Sequence, residues 1–259
     1  MCPDFNSGSD HWAYETKDLP FNVCQAFNDA IDVACVAENE ARNSGNPRNY
    51  LGVSEIGQEC ERQVQYAYQK TEKDADKHFN GITLRKFAGG HYFEDHTADL
   101  MKGAGFDLKT HKANGGQFGF ALFDDQFKGH IDGVIVGGPD WLGTPCLWEH
   151  KNLGNKSFNK HKSKPLEEAN PVYAAQVALY QCHLQLTEYP AVFCARNSDT
   201  QEIYWEMVEY DAELAQEMTE RAYRIITDTK ADYQYPRSFN SPDFFKCKWC
   251  AYQKRCWDD

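Results

Sequence analysis

Two groups of residues in this chain have the types and spacing to do chemistry. The first is Asp132 with Glu149 and Lys151, inside the stretch GHIDGVIVGGPDWLGTPCLWEHK, residues 129–151. That stretch reads as two strands and a turn. Phe127 to Val136 is apolar and β-branched around one acid, Gly137 to Asp140 are turn residues, and Cys146 to Lys151 alternates. Strand side chains repeat with period two, so Glu149 and Lys151 share a face and His150 points to the other. A hairpin pairing Val136 near Pro145 brings Asp132 opposite Glu149. Two carboxylates and an ammonium then converge at one point. Carboxylates on neighbouring strands repel each other unless a cation sits between them. The plainer alternative is a solvated hairpin with a surface Glu–Lys pair; the apolar company of Ile131, Val134, Ile135, Leu147 and Trp148 weighs against it.

The second group is the C-terminal run FFKCKWCAYQKRCW. Cys247, Cys250 and Cys256 form C-x2-C-x5-C, three thiolates and one short of a tetrahedral set. A zinc site is the simplest use of such a run, yet zinc ribbons carry two paired knuckles and this chain has no second C-x-x-C.

The elements that must position these groups follow from periodicity. Residues 1–20 read as an irregular lead-in. Phe21 to Arg42 reads as a helix, with Val23, Phe27, Ile31 and Cys35 at i, i+4 spacing, and residues 43–49 as a loop. Ser54 is placed to cap a helix from Glu55 to about Gln69, which carries Cys60. Thr83 to Lys102 reads as a long helix in which Glu94 and Asp95 lie three and four residues after His91. Gly89 and Gly90 interrupt it at a cost of roughly 1 kcal/mol each, a cost accepted where backbone or substrate must approach closely. Gln117 to Phe123, Phe127 to Val136 and Cys146 to Asn152 then make an antiparallel meander. Asn170-Pro171 opens a helix to about Leu186 with Gln176 and Tyr180 on one face. Strands over 190–197 and 201–208 and an amphipathic helix over 211–232 complete the order. Between the meander and the Asn170 helix lies the most basic segment, with Lys156, Lys160 and Lys162 around Phe158. It suits a nucleic-acid strand, one ring for a base and ammoniums for phosphates, or equally a solvated basic loop.

The chain has 259 residues, 41% hydrophobic and 25% charged, ordinary for a globular protein. No apolar run approaches the roughly 18 residues that span a membrane, and the N-terminus lacks a basic region followed by an apolar core. The expectation is an intracellular, cytoplasmic protein without a membrane partner. A net charge of −12 argues against a protein that coats nucleic acid non-specifically, though not against an enzyme with a local basic groove. Ten cysteines in a reducing compartment favour metal ligation over disulfides.

Asp132 followed by Glu149-His150-Lys151 after a hairpin resembles the D…ExK core of the PD-(D/E)XK nuclease superfamily; Ile131 stands where the name has proline. The order helix, three strands, helix, strand matches that superfamily's αβββαβ core, an α/β (α+β) restriction-endonuclease-like fold with a mixed sheet flanked by helices. His91 ahead of the hairpin and Gln176-x-x-x-Tyr180 after it match the RecB-like subgroup. The cysteine tail matches its iron–sulfur branch, which includes AddB-type helicase-nuclease domains, CRISPR-associated adaptation nucleases and phage exonucleases. In that branch a fourth cysteine lies far upstream, where Cys60 stands in SEIGQECERQVQYAY. The similarity covers roughly residues 54–257.

The resemblance implies a metal-dependent DNA exonuclease acting in recombination, repair or phage DNA processing, in a bacterial or phage-infected cytoplasm. Its divalent ion, Mg²⁺ or Mn²⁺, would be held by His91, Asp132, Glu149 and the backbone carbonyl of His150, with Glu94 helping a second ion. Lys151 would orient the attacking water, and Gln176 and Tyr180 would position the substrate strand or the nucleophile. Lys156, Phe158, Lys160 and Lys162 would grip DNA. A [4Fe–4S] cluster on Cys60, Cys247, Cys250 and Cys256 would tie the N-terminal helical region to the tail, closing a loop of roughly 190 residues. The implied division is a helical region over 1–80, a nuclease core over 81–235 and a tail over 236–259, all in one compact unit. Single-stranded DNA or duplex ends, a recombination or replication protein and a higher oligomer are the implied partners. Two other classes stay open: a DNA-binding adaptor with a vestigial site, and a zinc-binding structural protein.

Overall fold

The computed structural model describes residues 22–44 and 48–258. The lead-in expected over residues 1–20, the first residue of the first helix and the middle of the 43–49 loop lie outside them. The chain divides into two compact units, one of Met1–Asn46 with Phe79–Arg85 and one of Pro47–His78 with Lys86–Asp259. This differs from the three-part division expected: the Cys60 segment, the sheet and the cysteine tail share the second unit. In the first unit, helix α1 (Val23–Ser44) buries none of its residues, and Phe27 and Ile31 of its apolar stripe are exposed. Asp32 of α1 pairs with Arg85.

The second unit begins with strand β1 (Leu51–Gly52), helix α2 (Val53–Ile56) and helix α3 (Glu61–Tyr68). The single helix expected over 55–69 is therefore two. Ser54 lies inside α2, whose N-cap is Gly52, and Cys60 caps α3 in an extended conformation. The kink at Gly57 brings the chain against α7 (Pro171–His183): a β-carbon at Gly57 would stand 2.9 Å from the Val172 Cα. The long helix α4 (Gly81–Gly103) matches its expected span within two residues.

The strands depart most from expectation. β2 (Asp107–Lys109) was not foreseen, β3 is Gly119–Leu122, and the single strand expected over 127–136 is β4 (Phe127–His130) and β5 (Gly133–Gly137). The two halves enter different sheets. β1, β4 and β3 form a small sheet in that order; β2, β5, β6 (Cys146–Leu153), β7 (Ala191–Asn197) and β8 (Ile203–Val208) form the larger one. Only β6 and β7 run parallel in the larger sheet. Parallel neighbours need a crossover, here helices α5 (Asn155–Ser163), α6 (Leu166–Ala169) and α7. The αβββαβ order is thus present as α4, β2, β5, β6, α7 and β7, with β2 in the place expected for β3.

Strand alternation sorts the core onto two faces. Leu147, Leu153, Phe193 and Ala195 pack with α7 and with helix α8 (Ala212–Lys230); Ile135, Trp148, Val192 and Cys194 pack with Ala98 and Met101 of α4. Asn170 caps α7 through its side chain ahead of Pro171, and Asp211 caps α8. Helices α9 (Phe245–Trp249) and α10 (Gln253–Asp258) end the chain.

Candidate functional site

The break between β4 and β5 places Asp132. Ile131 is fully buried and its N–H donates to the Phe118 carbonyl at 3.1 Å, while the next residue leaves the small sheet. Register pairs Gly133 with Trp148 and Val134 with Leu147, so Asp132 falls beside Glu149 and accepts from the His150 backbone N–H at 2.7 Å. Glu149 is 1% exposed. Its Oε1 takes the Lys151 ammonium, and its Oε2 has no hydrogen-bond partner among the described residues. A buried carboxylate oxygen without a partner is costly, and a cation bound there would satisfy it.

The electrostatics carry the same message. Burial and the neighbouring Asp132 push Glu149 up to about 8, against the pull of Lys151. Burial raises Asp132 too, opposed by Lys151, the His150 N–H and His91. Glu94 on α4 is raised to about 7 by burial and by Asp132. Burial works against the charge on Lys151, but Glu149 and Asp132 outweigh it and hold the ammonium protonated well above its ordinary range. Three acids thus share one lysine.

α7 supplies the opposite wall. The Gln176 amide donates to the Tyr180 hydroxyl at 2.9 Å, and burial raises the Tyr180 hydroxyl, with Glu149 nearby adding to it. Tyr173 was missed: its ring lies 5.2 Å from the Lys151 ammonium. The signal was present, since 173, 176 and 180 share one helical stripe. His150 turns to the other face, where its Nε2 meets the Thr97 hydroxyl at 3.3 Å; burial and the cations Lys151 and Arg196 lower it to about 3.

His91 is less engaged. Its side chain is 77% exposed, and its Nδ1 is 4.0 Å from a Glu94 oxygen. Among the described residues no three His, Cys, Asp or Glu side chains already form a group able to hold a metal ion. The carboxylates are instead neutralised by Lys151. The donor types still suit a hard divalent cation: an orphaned Glu149 oxygen, Asp132 and Glu94, with the exposed His91 imidazole 4.0 Å from Glu94.

Phe158 requires a correction. The basic segment is helix α5, and its ring is fully buried in the main core. Burying a phenylalanine is worth about 2 kcal/mol, so the lone aromatic of a lysine-rich helix turns inward. It cannot stack on a base. Lys160 donates to the Ala169 carbonyl at 2.5 Å and Lys162 pairs with Glu202, while Lys156 is exposed with no ion-pair partner among the described residues.

Cys60, Cys247, Cys250 and Cys256 line one small pocket beside Tyr66 and Trp257, and none is in a disulfide. Burial raises the Cys250 thiol to about 11 and raises Cys247 as well, with the neighbouring sulfurs adding to both. The tail is also tied by Asp74, which sequence reasoning missed. It accepts from the backbone N–H of Lys254 at 2.8 Å, and its own N–H donates to the Ala251 carbonyl at 2.9 Å.

These features define an α/β protein with mixed sheets flanked by helices and an acidic, lysine-bearing site at the end of its central hairpin. No protein-family model matches the chain, and no curated protein is similar to it in sequence. Among solved structures it is similar to SSO0001, with a TM-score of 0.51 and 14% identity over 89% of this chain and 96% of that one. That likeness is one of fold. It is also similar to LHK-Exo, an alkaline exonuclease from Laribacter hongkongensis, with a TM-score of 0.49 and 14% identity over 71% of this chain and 89% of that one.

Proposed function

We propose that this chain is a metal-dependent deoxyribonuclease of the RecB-like, iron–sulfur type, acting as an exonuclease in recombination, repair or phage DNA processing. The observation that carries the reading is the buried Glu149 with one oxygen on Lys151 and the other unpartnered, beside Asp132. An ion there would draw on Asp132, Glu149, the His150 carbonyl, His91 and, with a second ion, Glu94. Mg²⁺ or Mn²⁺, when bound, supplies charge that polarises a phosphate and acidifies a water. Lys151, held protonated, donates to that water or to a phosphate oxygen and offsets charge as it develops. Tyr173 limits the swing of the lysine, and the Gln176–Tyr180 pair presents a fixed donor to the substrate strand. Lys156, exposed and without an ion pair among the described residues, is one cation of α5 available to a phosphate. The four cysteines around one pocket would carry a [4Fe–4S] cluster with a structural role.

The test is release of nucleotides from end-labelled DNA, single-stranded and duplex, with Mg²⁺ or Mn²⁺. Glu149→Gln and Lys151→Ala should each lower cleavage at least about a hundredfold while the fold is kept. Substantial cleavage by either purified variant would sink the reading.

A further inference from the structure

A groove of about 750 Å³ runs between the N-terminal end of α7 and the cysteine tail. It lies within the roughly 300–1,000 Å³ range of ligand clefts. Its walls combine two features. Trp249 and Phe245 present rings that are 84% and 60% exposed. Lys160, whose ammonium donates to the Ala169 carbonyl, and Lys246 line it in a chain of net charge −12; Lys246 pairs with the one lining acid, Glu59, a partner that a phosphate would displace. Val172 of α7 lines the groove, and Tyr173, the next residue, is the one over the Lys151 ammonium. The groove and the candidate site thus share α7 as a wall.

We propose that this groove binds single-stranded nucleic acid, with Trp249 and Phe245 as the rings on which bases stack and Lys160 and Lys246 at its phosphates. The task wrongly expected of Phe158 falls to these two residues. Large rings held in water beside lysines match the stacking platforms and cations that follow an unpaired strand. Bases in a duplex are stacked on each other, so their faces are closed to such rings. Gln58, Ser157 and Asn170 place polar groups among walls that also carry Pro171, Val172 and Phe239, a mixture that suits the sugars and phosphates of a strand as well as its bases. The proposal rests on the hydrolytic reading only for where the strand goes next.

The experiment uses the full chain in EDTA, so that binding is read without cleavage. Anisotropy of a labelled oligo-dT strand should show wild-type binding, weakened about tenfold by Trp249→Ala and about tenfold by Phe245→Ala, the loss of one stack each. Trp249→Phe, which keeps a ring, should bind within about twofold of wild type; this guards against a disturbed cysteine tail. Wild-type affinity in the Trp249→Ala/Phe245→Ala double variant, or no binding by the wild type, would overturn the groove. Ring-dependent binding without any Mg²⁺- or Mn²⁺-dependent cleavage would leave the groove standing and remove the hydrolytic reading. Normal cleavage with ring-independent binding would do the reverse.

Discussion

At the scale of single residues, Glu149 is the most informative. Its carboxyl holds a proton more tightly in the folded chain than the ordinary value of 4.5, because burial and Asp132 disfavour the anion and raise it to about 8. Such a group contributes stability that is full below 4.5 and is lost as pH rises through about 8. Glu94 acts in the same direction, through about 7. In EDTA the wild-type protein should melt progressively lower between about pH 5 and pH 9, and Glu149→Gln should flatten part of that fall. Differential scanning calorimetry of both proteins checks it; parallel curves would mean that Glu149 ionises freely. Added Mg²⁺ or Mn²⁺ should raise melting more at about pH 8 than at about pH 5, since binding requires the ionised carboxylates. Much of this cluster was legible beforehand, because period-two alternation and a turn at residues 137–140 set the register that places Asp132 beside Glu149. Asp74 was not legible in the same way: it acts through contacts with residues distant in sequence, and nothing local marks it, whereas Tyr173 lay on the stripe of Gln176 and Tyr180 and only its contact with Lys151 was hidden.

At the scale of elements, the glycines separate packing from access. A β-carbon at Gly89 or Gly90 would meet nothing within 4 Å among the described residues, so close packing against them is not the reason for either glycine. Gly89→Ala and Gly90→Ala should each stabilise α4 by up to about 1 kcal/mol in urea denaturation. If the open face admits substrate, the same variants should lose affinity for DNA. Gly129 is the opposite case. A β-carbon there would stand 2.6 Å from Tyr180 and 2.7 Å from Val53, so Gly129→Ala should cost about 1–3 kcal/mol and disturb Tyr180. A neutral Gly129→Ala would show that α7 can retreat from β4. The elements also show where periodicity runs out. A stretch such as 127–136, read as one strand, does not reveal that its halves join different sheets; the division depends on β1 and β2, two short strands contributed from elsewhere. Ser54 is not a cap because α2 already starts at Val53 with Gly52 at its N-cap, and the expected helix ends early at Gly57, where α7 comes close.

At the scale of the whole molecule, the question is what fastens the C-terminal tail. Beside ion pairs such as Lys246–Glu59 and Lys254–Asp76, two places stand out. One is the small pocket lined by Cys60, Cys247, Cys250 and Cys256, where the proposed cluster would tie the tail. The other is Asp74, whose carboxylate receives the Lys254 N–H while its backbone holds Ala251, supported by Tyr66 against Tyr252 at 5.4 Å. The two should respond differently to mutation. Asp74→Ala removes a helix cap, worth about 1 kcal/mol, and leaves the sulfurs in place, so iron and sulfide content should hold while melting falls slightly. On the proposed cluster, Cys60→Ala would leave one iron of a cubane without a thiolate and free the tail from α3, so the broad visible absorbance should disappear and melting should fall further. The same change at Cys182 should do neither, since Cys182 lies on α7 away from the pocket. A colourless wild-type protein containing zinc would replace the cluster with a zinc site while keeping the fastening role. Full iron and sulfide in Cys60→Ala, with unchanged melting, would take Cys60 out of the site and leave Asp74 as the main fastening of the tail.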